Sequence, residues 1–394
     1  MTKSSRLGDI TSVITKGTTP TSVGFDFSDY GVPFLRVQNL ADGAVDLTKT
    51  PLYISEATHK ELARSTIYPG DVLISIAGTI GRAAIVADDA DEMNSNQAVG
   101  IVRLNDGVHR RYILHWLQSH EAKKQILGAQ VTATISNLSL TELRNLQIPI
   151  PPLAKQKHIA AILDKADAIR RKLQQSLSYS DDYLRSVFLD MFGDPVTNPK
   201  GWTTMPITKA CKFTSGATPS KANSEYWEGL IPWVSPKDMK RYWIDDSIDH
   251  VSEVALKNAN LKSMAPGAIL IVVRGMILAH SFPVAQTREK VTINQDMKAL
   301  TPLHGLKSEY VAWSLRCQKH KILSLVSNAG HGTCRLDQES LSSVEIGIPD
   351  KELQNRFSLT VKKIAVFSER LTSQISEANN LFSSLQQRAF RGEL

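Results

Sequence analysis

The pattern of apolar and polar positions changes period twice along the chain, in the same way each time. Short blocks rich in valine and isoleucine, bounded by turn residues, predict strands at 71-DVLISIAG-78, 83-AAIVA-87, 98-AVGIVRL-104 and 268-AILIVVRG-275. Helical spacing predicts helices over 110-RRYILHWLQSHEAKKQIL-127 and 308-SEYVAWSLRCQKHKIL-323. Beyond residue 153 the spacing settles at three to four for almost forty residues: Leu163, Ala166, Ile169, Leu173, Leu177, Ser180, Leu184, Val187 and Met191. It does so again at Val361, Ile364, Phe367, Leu371, Ile375, Ala378, Phe382, Leu385 and Ala389. A stripe of that period is a seam for helix–helix packing. The ends are marked as helix ends should be. Pro151 and Pro152 precede the first helix and Gly193 follows it, while Asp350 can cap the second and Gly392 lies near its close. At ~1.5 Å per residue each rod is roughly 55 Å long.

The two seams are copies. An offset of 198 residues carries every seam position of the first helix onto one of the second, and the match extends into the segments before them. Tyr112 falls on Tyr310, Asn96-Gln97 on Asn294-Gln295, Leu143 on Leu341, Ile148 on Ile346 and Gln156 on Gln354. With one-residue slips, 17-GTTP-20 meets 216-GATP-219 and 69-PGDVLISI-76 meets 266-PGAILIVV-273. Chance rarely produces landmarks in the same order. The expected architecture is therefore α+β, a mixed α/β globule followed by a long helix, written twice: 1–150, 151–192, 193–348 and 349–394. The seam residues Leu163, Ile169, Leu173, Leu177, Leu184 and Val187 would meet Val361, Ile364, Leu371, Ile375, Phe382 and Leu385. Either seam would also serve a homodimer, but two equal helices in one chain make an intramolecular antiparallel pair more economical.

Composition narrows the function. The chain of 394 residues carries a formal charge of +7, compatible with a polyanionic partner. Its three cysteines form no CxxC pair, which fits a reducing cytoplasm and argues against a cysteine zinc site. No apolar run suggests a membrane span or a signal peptide. Signatures of catalysis are missing: no GxxxxGK[ST], GxGxxG, NPPY, DPPY or HExxH occurs. His115 and His120 are poorly spaced to share a metal. No catalytic residue and no metal ligand is assigned.

The polar positions that differ between the copies are more informative. After the shared PG(D/A)xLIxx frame, Ala77-Gly78-Thr79-Ile80-Gly81-Arg82 stands against Arg274-Gly275-Met276-Ile277-Leu278, and 33-PFLRVQNL-40 against 232-PWVSPKDM-239. A common frame with changed Arg, Lys, Gln, Asn and Asp is what two readers of different base sequences need. Candidate DNA contacts in the first copy are Thr18, Thr19, Arg36, Gln38, Asn39, Thr79, Arg82, Asn96 and Gln97. In the second they are Thr218, Lys221, Lys237, Asp238, Arg274, Asn294, Gln295, His331 and Arg335.

Taken together, 148-IPIPPLAKQKHIAAILDKAD-167, 188-FLDMFGDPVTNPKGW-202, PGDVLIS and the closing FRGEL resemble the specificity subunits of type I restriction–modification enzymes, over the whole chain. The second copy, IGIPDKELQ, departs by lacking the double proline, and the first globule lacks the PKGW string that opens the second. The resemblance implies two target recognition domains, each reading one half of a split, asymmetric site in double-stranded DNA. It implies that the antiparallel helices fix the gap between halves and dock two methyltransferase subunits, with two motor–nuclease subunits completing the enzyme. S-adenosylmethionine, ATP and magnesium would belong to those partners and none to this non-catalytic chain. Two other readings stand beside it: the specificity subunit of a related type II restriction–methylation enzyme, and a coiled-coil scaffold with two protein-binding heads.

Overall fold

The structure, a computed structural model, describes residues 4–41, 43–128, 137–328 and 333–394. It divides into two compact units, Met1–Gln174 with Ser373–Leu394, and Gln175–Thr372. The boundaries expected from chain order, at 150, 192 and 348, mark the ends of helices and not the edges of units. The long helices Leu153–Phe192 and Lys351–Arg391 are each shared between the units, so each unit owns the first part of one helix and the last part of the other.

Unit 1 is built on a six-stranded sheet ordered Thr11–Lys16, Val99–Leu104, Val72–Ser75, Ala83–Ile85, Gly43–Val45 and Leu40–Ala41. Unit 2 repeats the arrangement with five: Cys211–Ser215, Met297–Pro302, Ile269–Val272, Val284–Thr287 and Trp243–Ile244. The four predicted strand blocks all appear. Each unit adds a small three-stranded sheet, centred on Val32–Leu35 and on Ile231–Val234, and a two-stranded ribbon that leads into its long helix. Strands Val72–Ser75 and Ile269–Val272 are completely buried, as continuous apolar runs predict.

The predicted helix over 110–127 is two helices, Arg110–Leu117 and His120–Gly128, because Ser119 accepts the Ala122 amide at 3.2 Å and starts a new turn. Its counterpart over 308–323 likewise breaks at Gln318, between Ser308–Cys317 and Lys319–Ser324.

Within each unit the two helical pieces run antiparallel and enter the unit's core. In unit 1, Ile159, Ala160 and Leu163 join Phe382, Ala389 and Phe390 against Tyr112 and Trp116. His115 touches both Asp164 and Phe382, whereas Tyr112 sits on Phe390. In unit 2, Phe188 and Phe192 pack on Phe357, Tyr310 and Trp313. Seam positions Leu163, Leu184, Val361, Leu371 and Phe382 are buried, and Leu173, Leu177, Val187, Ile364, Ile375 and Leu385 are half-buried. Ile169 and Phe367 are corrections. They are 50% and 49% exposed. Each stands six residues beyond Leu163 or Val361, roughly 600° of helix, which leaves it about 120° off the seam.

The repeated landmark Gln156/Gln354 has a structural reason. Gln156 donates to Pro151 O at 2.8 Å and accepts from the His109 amide at 2.9 Å. Gln354 does the same with Pro349 O at 2.8 Å and the Lys307 amide at 2.9 Å. One buried amide thus fixes the first turn of the long helix to the globule before it, with or without the second proline. Tyr112 and Tyr310 add matching bonds to Pro149 O and Gly347 O.

Other pairs are reversed between copies. Arg111 donates to Asp164 at 3.0 Å, and 198 residues later Lys362 faces Glu309 at 3.6 Å, with the charges exchanged. Beside the first pair, buried His115 donates from Nε2 to Asp164 Oδ1 at 2.7 Å, and its Nδ1 has no partner among the described residues. Burial holds the His115 pKa below its ordinary value, against the pull of Asp164. Burial would raise the Asp164 carboxyl, but the bonds from Arg111 and His115 outweigh it and keep it low. The unfolded chain therefore binds more protons as pH falls through the ordinary histidine value of about 6.5, and unit 1 loses stability. The Asp164 contribution goes only at more acidic pH, as pH falls from the ordinary carboxylate value through the lowered folded one. Unit 2 carries Trp313 in place of His115. Hydrogen exchange between pH 7 and 5 should show unit 1 loosening before unit 2, and His115→Gln should flatten that difference.

Candidate nucleic-acid interface

The candidates gather where three segments of each unit meet. In unit 1 the Gly17–Pro20 loop lies on the strand end Asn94–Ser95, with the Thr18 amide donating to Ser95 O at 2.8 Å. The Asn96 amide in turn donates to Leu35 O at 3.1 Å, which brings the 36–39 loop alongside. Unit 2 repeats both bonds, Ala217 N to Ile293 O at 3.0 Å and Asn294 N to Val234 O at 3.0 Å. The glycine of each GxTP loop is required by this closeness. A Cβ on Gly17 would overlap the carbonyl oxygens of Ser95 and Asn96, and one on Gly216 those of Ile293 and Asn294. The repeated Asn-Gln then divides its labour. Asn96 and Asn294 cap their own turns, accepting the amides of Ala98 at 3.3 Å and Asp296 at 3.0 Å. Gln97 and Gln295 are exposed and accept the hydroxyls of Thr19 and Thr218.

Several candidates are framework residues. Asn39 is 2% exposed, donates to Asp46 O and Lys49 O, and accepts the Arg36 amide. Asp238 holds Ser235 at 2.8 Å and the Ile248 amide at 3.0 Å. Lys237 is paired with Asp249 at 2.7 Å. Arg36 is half-buried, and its Nε has no partner among the described residues. Gln38, Thr79 and Arg82 are exposed. Arg82 shares a depression with Lys49 and Lys123, and Lys221 another with Trp227 and Trp233. His331 lies outside the described residues.

Beyond the strands Val72–Ser75 and Ile269–Val272, both units build the same junction. Leu138 N donates to Ile76 O at 2.8 Å, and Leu336 N to Val273 O at 2.9 Å. Isolated antiparallel bridges follow at Ala77–Asn137 and Arg274–Arg335. Gly78 and Gly275, with φ of 71° and 132°, turn the chain immediately after. The backbone is shared and the side chains are not. In unit 2 the junction opens on a cleft of about 560 Å³ lined in part by Lys212, Arg274, Gln295, Lys298, Arg335 and Asp337. Lys212 and Lys298 were not among the sequence candidates. Their signal was the offset itself, because Lys298 falls on Gly100 in the first copy.

No helix among the described residues is long and apolar enough to cross a membrane. Nor do they hold a cluster of three or more His, Cys, Asp or Glu that could bind a metal.

Comparison with known proteins gives one answer. The chain is 31% identical over 276 residues to the specificity subunit of the type I restriction enzyme EcoR124I/EcoR124II from Escherichia coli, an alignment covering 68% of this chain and 65% of that protein. It is 29% identical over 163 residues to the MjaIX specificity subunit of Methanocaldococcus jannaschii, covering 41% of this chain and 37% of that one. The chain thus spans less than two thirds of the length of either relative. In fold it is similar to a chain from a type I restriction–modification assembly, at TM-score 0.59 and 18% identity over 100% of this chain and 98% of that one. It is also similar to the specificity subunit from M. genitalium, at TM-score 0.57 and 13% identity over 98% and 96%. The type I restriction modification DNA specificity domain matches twice, over residues 2–179 and 199–378, and the chain belongs to the family of type I restriction–modification specificity subunits.

Proposed function

We propose that this chain reads a bipartite DNA target for a type I restriction–modification complex, one half-site per unit, and contributes no catalysis of its own. The observation that carries the reading is the junction built twice on one backbone, with Ala77 and Asn137 in unit 1 and Arg274 and Arg335 in unit 2. Equal frames with unequal side chains give two readers with different preferences. The Thr19–Gln97 and Thr218–Gln295 pairs present exposed acceptors and donors at the same edge of each unit.

The long helices set the distance between half-sites and dock two methyltransferase subunits, to which two motor–nuclease subunits are added. What supports docking is the apolar surface the helices leave uncovered: Tyr179, Tyr183, Leu359, Val366 and Phe367 are each about half exposed on helical segments of unit 2, and Ile169 and Leu381 on those of unit 1. S-adenosylmethionine, ATP and magnesium belong to the partner subunits, and the complex works in the cytoplasm.

The test is to express the chain with its methyltransferase subunits and sequence the host methylome with and without it. A split adenine-methylated motif that depends on this chain is expected, and in vitro binding should weaken steeply with salt as counterions are released. A methylome indifferent to the chain, or salt-insensitive binding, would overturn the reading. A single bifunctional partner in place of separate methyltransferase and nuclease subunits would move the chain to the related type II enzymes.

A further inference from the structure

We propose that Arg274 and Arg335 together read guanine in the half-site of unit 2, and that unit 1 has no equivalent reader. The inference rests on the DNA-reading function proposed above and assigns its chemistry at one place.

Like charges directly opposite on an antiparallel bridge repel. Arg274 and Arg335 occupy one such bridge, so their side chains leave the same side of the backbone roughly 5 Å apart at Cβ. At the matching bridge of unit 1 the pair is Ala77 and Asn137, so the fold does not demand the arginines. Arg274 is 50% exposed, and among the described residues Arg335 forms no ion pair. The backbone beneath is fixed by the Arg274 amide to Asp296 O at 3.2 Å and the Gly275 amide to Cys334 O at 3.0 Å. Two cationic forks on a rigid frame, facing one cleft, are set for a ligand rich in acceptors.

The carboxylates nearby select a base edge over a phosphate. Asp296 stands 3.8 Å from the Arg274 guanidinium, and Asp337 lines the same cleft. They offset the field a phosphate would need while leaving guanidinium N–H groups free to donate. The neutral guanine edge, with O6 and N7 as paired acceptors, suits such a buttressed arginine. Lys212 and Lys298 flank the cleft on neighbouring strands, where they can meet the backbone. Lys298 is steadied by Ser215 Oγ at 2.7 Å.

The experiment uses the complex assembled with its methyltransferase subunits and DNA duplexes randomised across both half-sites. The half-site of unit 2 is assigned by exchanging residues 195–345. Wild type should select a G·C pair at one or two positions there. Arg274→Ala and Arg335→Ala should each cut discrimination at one such position about 5- to 160-fold, the 1–3 kcal/mol of a bidentate pair, and leave the rest of the motif intact. Arg274→Lys should lose it too, since lysine keeps the charge without the fork. Lys212→Ala and Lys298→Ala should weaken all sequences alike. Because these side chains are at the surface, an unchanged melting midpoint verifies folding. A uniform loss from the arginine variants, retention by Arg274→Lys, or no guanine in that half-site overturns the inference while leaving two-half reading in place. A wild-type complex that selects no motif overturns the DNA-reading itself and this inference with it.

Discussion

Replacing residues 195–345 with the same span of another specificity subunit should exchange one half of the methylated motif and leave the other untouched. The old target should be lost almost completely, because each mismatched pair costs about 1–3 kcal/mol and a half-site holds several. The expectation follows from how each unit is made. Unit 2 has its own five-stranded sheet and its own core, in which Ile269–Val272 and the aromatic group of Tyr310, Trp313 and Phe357 are buried together. The graft must respect the helix it lands on. Glu309 lies inside the exchanged span and Lys362 outside it, so a donor with arginine at 309, the arrangement of Arg111 in unit 1, would meet Lys362 as a like charge. Such a graft should need Lys362→Asp to recover stability. Methylome sequencing decides: a change in both half-sites would sink the model of two independent readers.

The frame was legible because it is periodic and repeated. The two seams, the strands within 71–78 and 268–275 and the offset of 198 follow from the residue pattern alone, and Gln156 and Gln354 make the same two bonds. The failures are local. Ile169 and Phe367 matched a three-to-four spacing step by step, but small rotational errors add, and by the sixth residue they had turned from the seam. The helix over 110–127 concealed a break because apolar spacing continues across it, and only the Ser119 cap restarts the turn. The division of each long helix between units could not be seen in chain order, since cores form from neighbours in space. Among candidate contacts, the side-chain type of Asn39 and Asp238 suits base reading, yet both spend their polar atoms on their own loops. Lys212 and Lys298 line the unit 2 cleft, a place the sequence does not reveal because a lysine in a strand looks like an ordinary edge residue until folding sets it there.

Lengthening both rods by one heptad should widen the gap between half-sites without altering either half. The insertion points are chosen between Ser176 and Ser180 and between Gln374 and Ala378, just after the places where the helices pass from one unit to the other. They lie outside the helical members of both cores, which end at Ala166 and Phe382 in unit 1 and at Leu184 and Ile364 in unit 2. Seven residues keep the apolar stripe in phase to within about 20°. They add roughly 10 Å of helix at ~1.5 Å per residue, which corresponds to about three base pairs at ~3.4 Å each. Three pairs also rotate one half-site by roughly 100° on a duplex of ~10–10.5 pairs per turn, so methylation should fall sharply on any target. What survives should carry the longer gap between unchanged half-sites. An insertion in only one helix puts the two seams out of register and should cost far more. If the doubly lengthened protein methylated the original gap at normal levels, the helices would not be measuring DNA, and the half-exposed Tyr179, Tyr183, Val366 and Phe367 would leave docking as their remaining role.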